Sequence, residues 1–261
     1  MGSIGHVHNK LSHRDKSSNR EKFSNPDKSS NLDKSLDPEI LKSSNSRFRL
    51  IVFDLDGTLV DSRRDLAESA NQLLQQCGGA ELSEEAIGRM VGDGAATLVA
   101  RAFTAAYCQQ PDDALSRFLT IYNRRLLKFT KPYPGIRDLL ASLRSRATLA
   151  VLTNKPLAAT RSVLEGLDLA NYFGERVVGG DGPFPRKPAP AGLNHLILES
   201  GVSAADTLLV GDSVIDWHTA RAAGAFSCIA RYGFGFDGFP VDALNSGEWL
   251  IDSPSDLSAG L

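Results

Sequence analysis

Arg49-Leu50-Ile51-Val52-Phe53-Asp54-Leu55-Asp56-Gly57-Thr58-Leu59 is the stretch on which the fold turns. Its first half is a short apolar run, rich in β-formers and long enough for a strand buried on both faces. It leads directly into two aspartates. Asp54 and Asp56 are two residues apart, so their side chains project to one side of an extended chain. Gly57 then permits a sharp turn. Two carboxylates held this close repel, and a bound cation relieves the repulsion. Asp-x-Asp taken alone reads as a strand end with an ordinary Asp-Gly turn. The full hexapeptide behind an apolar strand is far more specific.

Similar apolar runs follow at Thr148–Leu152, Thr207–Val210 and Phe226–Ala230, with a weaker one at Arg176–Val178. Helical patterns at about 135–146, 157–167, 189–200 and 214–223 separate them. Strand and helix alternating in this way predict an α/β fold with a doubly wound, mostly parallel sheet. One stretch breaks the alternation. Residues 62–131 show only helical periodicity, as in Leu98, Phe103 and Tyr107 or Leu115, Phe118, Leu119 and Tyr122, and Pro132-Tyr133-Pro134-Gly135 closes the stretch with a turn signal. An insert of about seventy residues is too long for a loop. It predicts a small helical cap, with residues 47–61 and 132–261 as the α/β core. Ligands of such sheets bind outside the carboxyl ends of the strands, so the insert begins and ends at the rim of the expected site.

The other strand ends also deliver polar groups. Thr153-Asn154 follows the second run, and both side chains can donate to a phosphoryl oxygen; taken alone, they read as an N-cap for the next helix. Lys187 sits among prolines in Arg186-Lys187-Pro188-Ala189-Pro190, a better setting for a fixed charge than a free surface lysine has. Gly211-Asp212-Ser213-x-x-Asp216 ends the third run, and residues i and i+4 share a helix face. Polar groups at each independent strand end are more economically explained by one site than by separate caps.

The charge balance is near neutral, with a formal charge of -2 and a pI of about 6.2, which favours neither nucleic acid nor an acidic membrane surface. No apolar run approaches the roughly 18 residues of a membrane span, and the N-terminus lacks the pattern of a secretory signal. Cys77, Cys108 and Cys228 are widely spaced and read as free thiols in a reducing cytoplasm. Residues 1–46 form a polar tail in which Asp15-Lys16-Ser17-Ser18-Asn19 recurs as Asp27-Lys28-Ser29-Ser30-Asn31. It carries too little apolar surface to offset chain entropy, so disorder is expected. A native tail, read-through from a misplaced start and a cloning remnant all fit it, and His6, His8 and His13 are too loosely arranged for a metal site.

Together these residues resemble the four motifs of the haloacid dehalogenase superfamily of aspartyl phosphotransferases, in family order: Asp54-Leu-Asp56-Gly-Thr-Leu59, Thr153-Asn154, Lys187-Pro-x-Pro190 and Gly211-Asp212-Ser-x-x-Asp216. The resemblance runs from about Arg47 to Gly235. Within the superfamily the finer similarity is to phosphoglycolate phosphatases, carried by Arg89-Met-Val-Gly92-Asp-Gly94 through Arg101 in the insert, by Gly179-Gly180-Asp181, and by Thr219-Ala-Arg-Ala-Ala-Gly224 with Arg231-Tyr-Gly-Phe234. It implies a Rossmann-like core and Mg²⁺-dependent hydrolysis of a small phosphate monoester. It also implies site roles. Asp54 is the nucleophile that becomes phosphorylated, and Asp56 the general acid and base. Mg²⁺ falls to Asp54, Asp212 and the backbone carbonyl of Asp56, with Asp216 in support. Lys187 and Thr153, with backbone amides near Leu55, Gly57 and Asn154, hold the phosphoryl oxygens. For the second charge of phosphoglycolate, Arg89 is the first cap candidate and Arg101 the second; a surface arginine is an equal alternative for each.

Other readings remain within the superfamily: a phosphatase of sugar phosphates, pyrophosphate or N-acetylmuramic acid 6-phosphate, or a phosphohexose mutase. Asp56 argues against dehalogenation. Phosphonate hydrolysis requires a cap lysine, and the stretch from Asp61 to Phe129 offers only Lys128, at its far end. A phospho-aspartate signalling receiver has another residue order and no such cap, and a catalytically dead scaffold would not need every chemical position filled. The expected partner is a small phosphorylated metabolite, and the sequence does not distinguish a monomer from a homodimer.

Overall fold

The computed structural model describes residues 47–261; the N-terminal tail of the sequence reading lies outside them. In chain order the elements are β1 (Leu50–Phe53), β2 (Val60–Asp61), α1 (Arg63–Gln76), α2 (Glu84–Gly88), α3 (Ala95–Ala105), α4 (Ala114–Asn123) and β3 (Lys131–Pro132). There follow α5 (Ile136–Leu143), β4 (Thr148–Leu152), α6 (Leu157–Gly166), α7 (Ala170–Phe173), β5 (Val177–Val178), α8 (Ala191–Ser200), β6 (Thr207–Gly211), α9 (Val214–Ala223), β7 (Phe226–Ala230), β8 (Trp249–Ile251) and α10 (Pro254–Gly260).

Six strands form one parallel sheet in the order β5-β4-β1-β6-β7-β8. The chain winds outward from β1 in one direction and then returns to build the other side, the doubly wound pattern expected from the alternation of strands and helices. Every residue of β1 is buried, and its alternate side chains serve opposite faces. Ile51 and Phe53 join Leu149, Val151, Leu208 and Val210 in a cluster with helices α5, α6, α7 and α10. Leu50 and Val52 join Ala150, Leu152 and Leu209 against Leu193 and Leu196 of α8 and Ala220 of α9. Two buried faces explain why the strands read as continuous apolar runs.

Register positions the chemistry. Phe53 pairs with Val151 on one side and with Val210 on the other. The polar residues that follow β1, β4 and β6 therefore emerge side by side at one edge of the sheet.

Helices α1–α4 fill the interval between β2 and β3 and share their own apolar cluster, which includes Leu66, Leu73, Leu74, Ile87, Leu98, Phe103, Phe118 and Tyr122. The two connections to the sheet are held together. Val60 pairs with Pro132 and Asp61 with Lys131 in a short antiparallel ribbon. Buried Asp65 Oδ2, in the first turn of α1, accepts hydrogen bonds from the backbone N–H groups of Phe129 and Thr130 and from the Thr130 hydroxyl, each at 2.8 Å. The Pro-rich turn signal near residue 132 thus also contains strand β3. Strand β8 and helix α10 were not anticipated: Trp249–Ile251 is too short to stand out as an apolar run, and it becomes a strand by pairing with β7.

Candidate active site

Asp54 leaves β1 with its amide donating to Val210 O at 2.9 Å, which locks the strand end to β6. The residue is 7% exposed. Gly57 adopts φ +89°, and a Cβ there would overlap the Asp212 carboxylate. The Gly57 amide donates to Val60 O at 2.9 Å. Gly57 therefore shapes the site by leaving room for Asp212, and its amide is engaged within the turn instead of facing a phosphoryl group as the resemblance implied.

Glycine recurs for the same reason at the end of β6. A side chain at Gly211 would collide with Asp216. Ser213 caps α9, and Asp216 Oδ2 accepts from the Ser213 amide at 3.2 Å and from its hydroxyl at 2.6 Å. Asp212 Oδ2 accepts from the Gly235 amide at 2.7 Å, where the loop after β7 folds over it.

Lys187 joins these acids. Its Nζ lies 2.6 Å from Asp216 Oδ1 and 2.8 Å from Asp54 Oδ1, and all three residues are buried. Carboxylate oxygens of Asp54, Asp212 and Asp216 lie within 4.8 Å of one another. Burial, reinforced by Asp216 and Asp56 but opposed by Lys187, pushes Asp54 up to about 6. Burial and the charges of Asp216 and Asp54 raise Asp212 well above the usual carboxylate range. Burial alone would lower the Lys187 ammonium, but Asp216 and Asp54 hold it above the ordinary lysine value.

This donor set fits a hard divalent cation. Three buried carboxylates face one ammonium, so the ionised cluster keeps excess negative charge that a magnesium ion would neutralise through oxygen ligands. Asp56 stands apart from the cluster in its side chain. Its Oδ1 accepts from Ser62 Oγ at 2.5 Å, and its carboxylate lies 3.1 and 3.2 Å from Lys155 Nζ.

Thr153 and Asn154 stand at the end of β4 and both line the central cavity. Thr153 Oγ1 accepts from the Lys155 amide at 3.2 Å. The side chain of Asn154 is fully engaged with the protein. Its Oδ1 accepts from the Lys187 amide at 2.9 Å, and its Nδ2 donates to Lys187 O at 2.9 Å and to Gly92 O at 2.8 Å. It positions the lysine loop and its own amide group has no donor left for a ligand.

The cavity lies between this edge of the sheet and the α1–α4 helices with their loops, which contribute Leu66, Val91, Leu98, Phe118, Leu119 and Tyr122. Neither proposed cap arginine lines it. Arg89, 56% exposed in its side chain, pairs with Asp237 at 3.5 Å. Arg101 pairs with Asp93 at 2.6 Å and donates to Met90 O at 3.2 Å. The cavity is instead faced by Lys155, which the sequence reading passed over. This lysine is buried and touches both Asp56 and the Tyr122 hydroxyl. Burial alone would lower its ammonium, but Asp56 and Tyr122 hold it above the ordinary range. Its signal was slight: it directly follows Thr153-Asn154, but lysines before a helix are usually solvated.

The chain resembles known proteins in sequence and in fold. The pattern of the haloacid dehalogenase-like hydrolases matches residues 51–230. A phosphoglycolate phosphatase of Rhodospirillum rubrum is 42% identical over 221 residues, covering 77% of this chain and 90% of that protein. One from Nitrosospira multiformis is 39% identical over 202 residues, covering 74% and 88%. The crystal structure of a predicted phosphoglycolate phosphatase from Haemophilus somnus superposes with a TM-score of 0.76 at 31% identity, covering 82% of this chain and 98% of that one. The chain is a phosphoric monoester hydrolase and belongs to the haloacid dehalogenase-like hydrolase family.

Proposed function

We propose that the chain hydrolyses 2-phosphoglycolate to glycolate and phosphate, with Mg²⁺ as cofactor and a phospho-aspartyl intermediate on Asp54. The observation that carries this reading is the contact of the Asp54 carboxylate with the buried Lys187 ammonium, 2.8 Å apart, with Asp56 two residues further on. The relatives named phosphoglycolate phosphatase supply the substrate.

A phosphate monoester is a dianion and repels a carboxylate. Bound Mg²⁺, held by Asp54, Asp212 and the Asp56 carbonyl with Asp216 behind them, would supply the neutralising charge. Asp54 attacks phosphorus in line, and the P–O bond to the alcohol breaks. Asp56 gives the departing oxygen its proton and later takes one from the water that cleaves the aspartyl phosphate. Lys187 and Thr153 stabilise the equatorial oxygens. Residues 62–131 serve as the cap that excludes bulk water from the phosphoryl centre. The described cysteines are free, which supports work in a reducing cytoplasm on a small metabolite.

The test is phosphate release from a panel of 2-phosphoglycolate, sugar phosphates, pyrophosphate and N-acetylmuramic acid 6-phosphate, with and without Mg²⁺. Release fastest from 2-phosphoglycolate, dependent on Mg²⁺ and lost in Asp54→Asn, is expected. A sugar phosphate ranking well above it overturns the substrate. Full activity in Asp54→Asn overturns the mechanism.

A further inference from the structure

The cavity wall contributed by α1–α4 and their loops is mostly apolar, with Val91, Leu98, Phe118 and Leu119 facing the catalytic edge. A carboxylate entering it leaves water and is strongly disfavoured unless an opposite charge meets it. Among the described residues that line the cavity, the one cation is Lys155. Lys187 bridges Asp54 and Asp216 and is not among the lining residues, and Arg89 and Arg101 are paired elsewhere on the surface.

The position of Lys155 relates it to the alcohol side of a bound ester. Its Nζ is 3.1 Å from the Asp56 oxygen that also accepts from Ser62, and Asp56 is the group assigned to the ester oxygen. In a phosphorylated 2-hydroxy acid the carboxylate carbon is two bonds from that oxygen. An ammonium touching the proton donor therefore lies within reach of the carboxylate. The Tyr122 hydroxyl, from α4, meets the same ammonium and fixes it from the opposite side of the cavity.

We propose that Lys155, steadied by Tyr122, binds the carboxylate of the leaving alcohol, so that the site selects phosphate esters of hydroxy acids over esters of neutral alcohols. This rests on the assignment of Asp56 to the leaving oxygen and deepens the substrate reading given above. Specificity for the second charge then comes from the core loop after β4 together with a cap tyrosine.

The test compares ester pairs that differ in the carboxylate: 2-phosphoglycolate with ethyl phosphate, and 3-phosphoglycerate with glycerol 3-phosphate. The full chain with Mg²⁺ is assayed as wild type, Lys155→Met, Lys155→Arg and Tyr122→Phe. The wild type is expected to favour the acid of its better pair by about 100-fold in kcat/KM. Lys155→Met slows both members, because Asp56 loses its neighbour, but it cuts the preference by at least about 10-fold, mainly through KM. Lys155→Arg keeps more of the preference than Lys155→Met, and Tyr122→Phe lowers it less than Lys155→Met does. Product inhibition by glycolate should weaken by about 10-fold in Lys155→Met while inhibition by inorganic phosphate changes by less than about 3-fold.

Equal slowing of both members, with glycolate inhibition unchanged, would show that Lys155 only holds Asp56, and the proposal falls. A wild type that favours neither member of either pair also overturns it. Should the phosphoglycerate pair be the better one, the substrate proposed above is wrong, yet the change of ratio within that pair still decides the role of Lys155. If Lys155→Met does not fold, the Lys155→Arg ratio and competition of glycolate against ethyl phosphate in the wild type decide it: no competition overturns the proposal.

Discussion

Asn154 clasps the backbone of Lys187 from both sides, accepting from its N–H and donating to its C=O, each at 2.9 Å. The end of β4 thereby sets the height of a loop 33 residues further along the chain, and with it the position of the ammonium between Asp54 and Asp216. Asn154→Ala removes both bonds and the third one to Gly92. It should lower kcat by about 10- to 100-fold, because the lysine loop loses its register, and should cost about 2–3 kcal/mol of stability. Steady-state kinetics and thermal melts check this. A variant with unchanged kcat would show that the loop holds itself.

The acid cluster makes stability depend on pH and metal in a defined direction. Asp54 has a folded value of about 6, above its unfolded value of about 3.9. The native state therefore holds a proton there that the unfolded chain has lost, and metal-free stability falls as pH rises between those values. The cost is on the order of 2–3 kcal/mol above about pH 6. Asp212, also raised, adds a loss of the same sign. Chelated protein should melt at a lower temperature at pH 7.5 than at pH 5.5, and Mg²⁺ should raise Tm more at the higher pH. An equal Mg²⁺ effect at both would contradict the coupling.

Gly57→Ala should be among the most damaging small substitutions in the chain. The residue is left-handed, and the added methyl would occupy the place of the Asp212 carboxylate. The backbone penalty alone is about 1 kcal/mol, and displacement of Asp212 adds to it. The expected outcome is a fall in kcat/KM of about 100-fold or more with a lower Tm. The same substitution at Gly174, where no atom lies within 4 Å of the new methyl, should cost only the backbone strain and leave kinetics unchanged.

Arg89→Ala and Arg101→Ala test the arginine expectation directly. Both guanidinium groups form partly exposed ion pairs away from the cavity, and such pairs contribute about 0–1 kcal/mol. Each variant should keep kcat/KM for 2-phosphoglycolate within about 3-fold of wild type. A selective rise in KM for the acid in either one would restore that arginine to the site.

Much of this arrangement was legible because its signals are local. A parallel strand buried on both faces must be apolar throughout, so β1, β4, β6 and β7 announce themselves. Register then carries their terminal residues to one edge, which is why Asp54, Thr153 and Asp212 emerge together. The weak strand β5 and the unanticipated β8 have three residues or fewer, and they are strands because a neighbour offers unpaired backbone groups. Lys155 and Arg89 illustrate the opposite case. Both are cations near a glycine or proline turn, and neither local spacing nor residue type tells which will be buried.

What the sequence determined by itself is the wound sheet, the helical insert and the identity of the acids at the strand ends, since hydrophobic period and strand-end chemistry travel with the chain. Which cation faces the cavity was decided only by tertiary structure. Lys155 meets Asp56 across 99 residues of sequence and Tyr122 across 33, and those meetings exist because the α1–α4 helices pack as a unit over the edge of the sheet. The free energy of a buried charge depends on the partners that packing brings to it, and no window of neighbouring residues contains them.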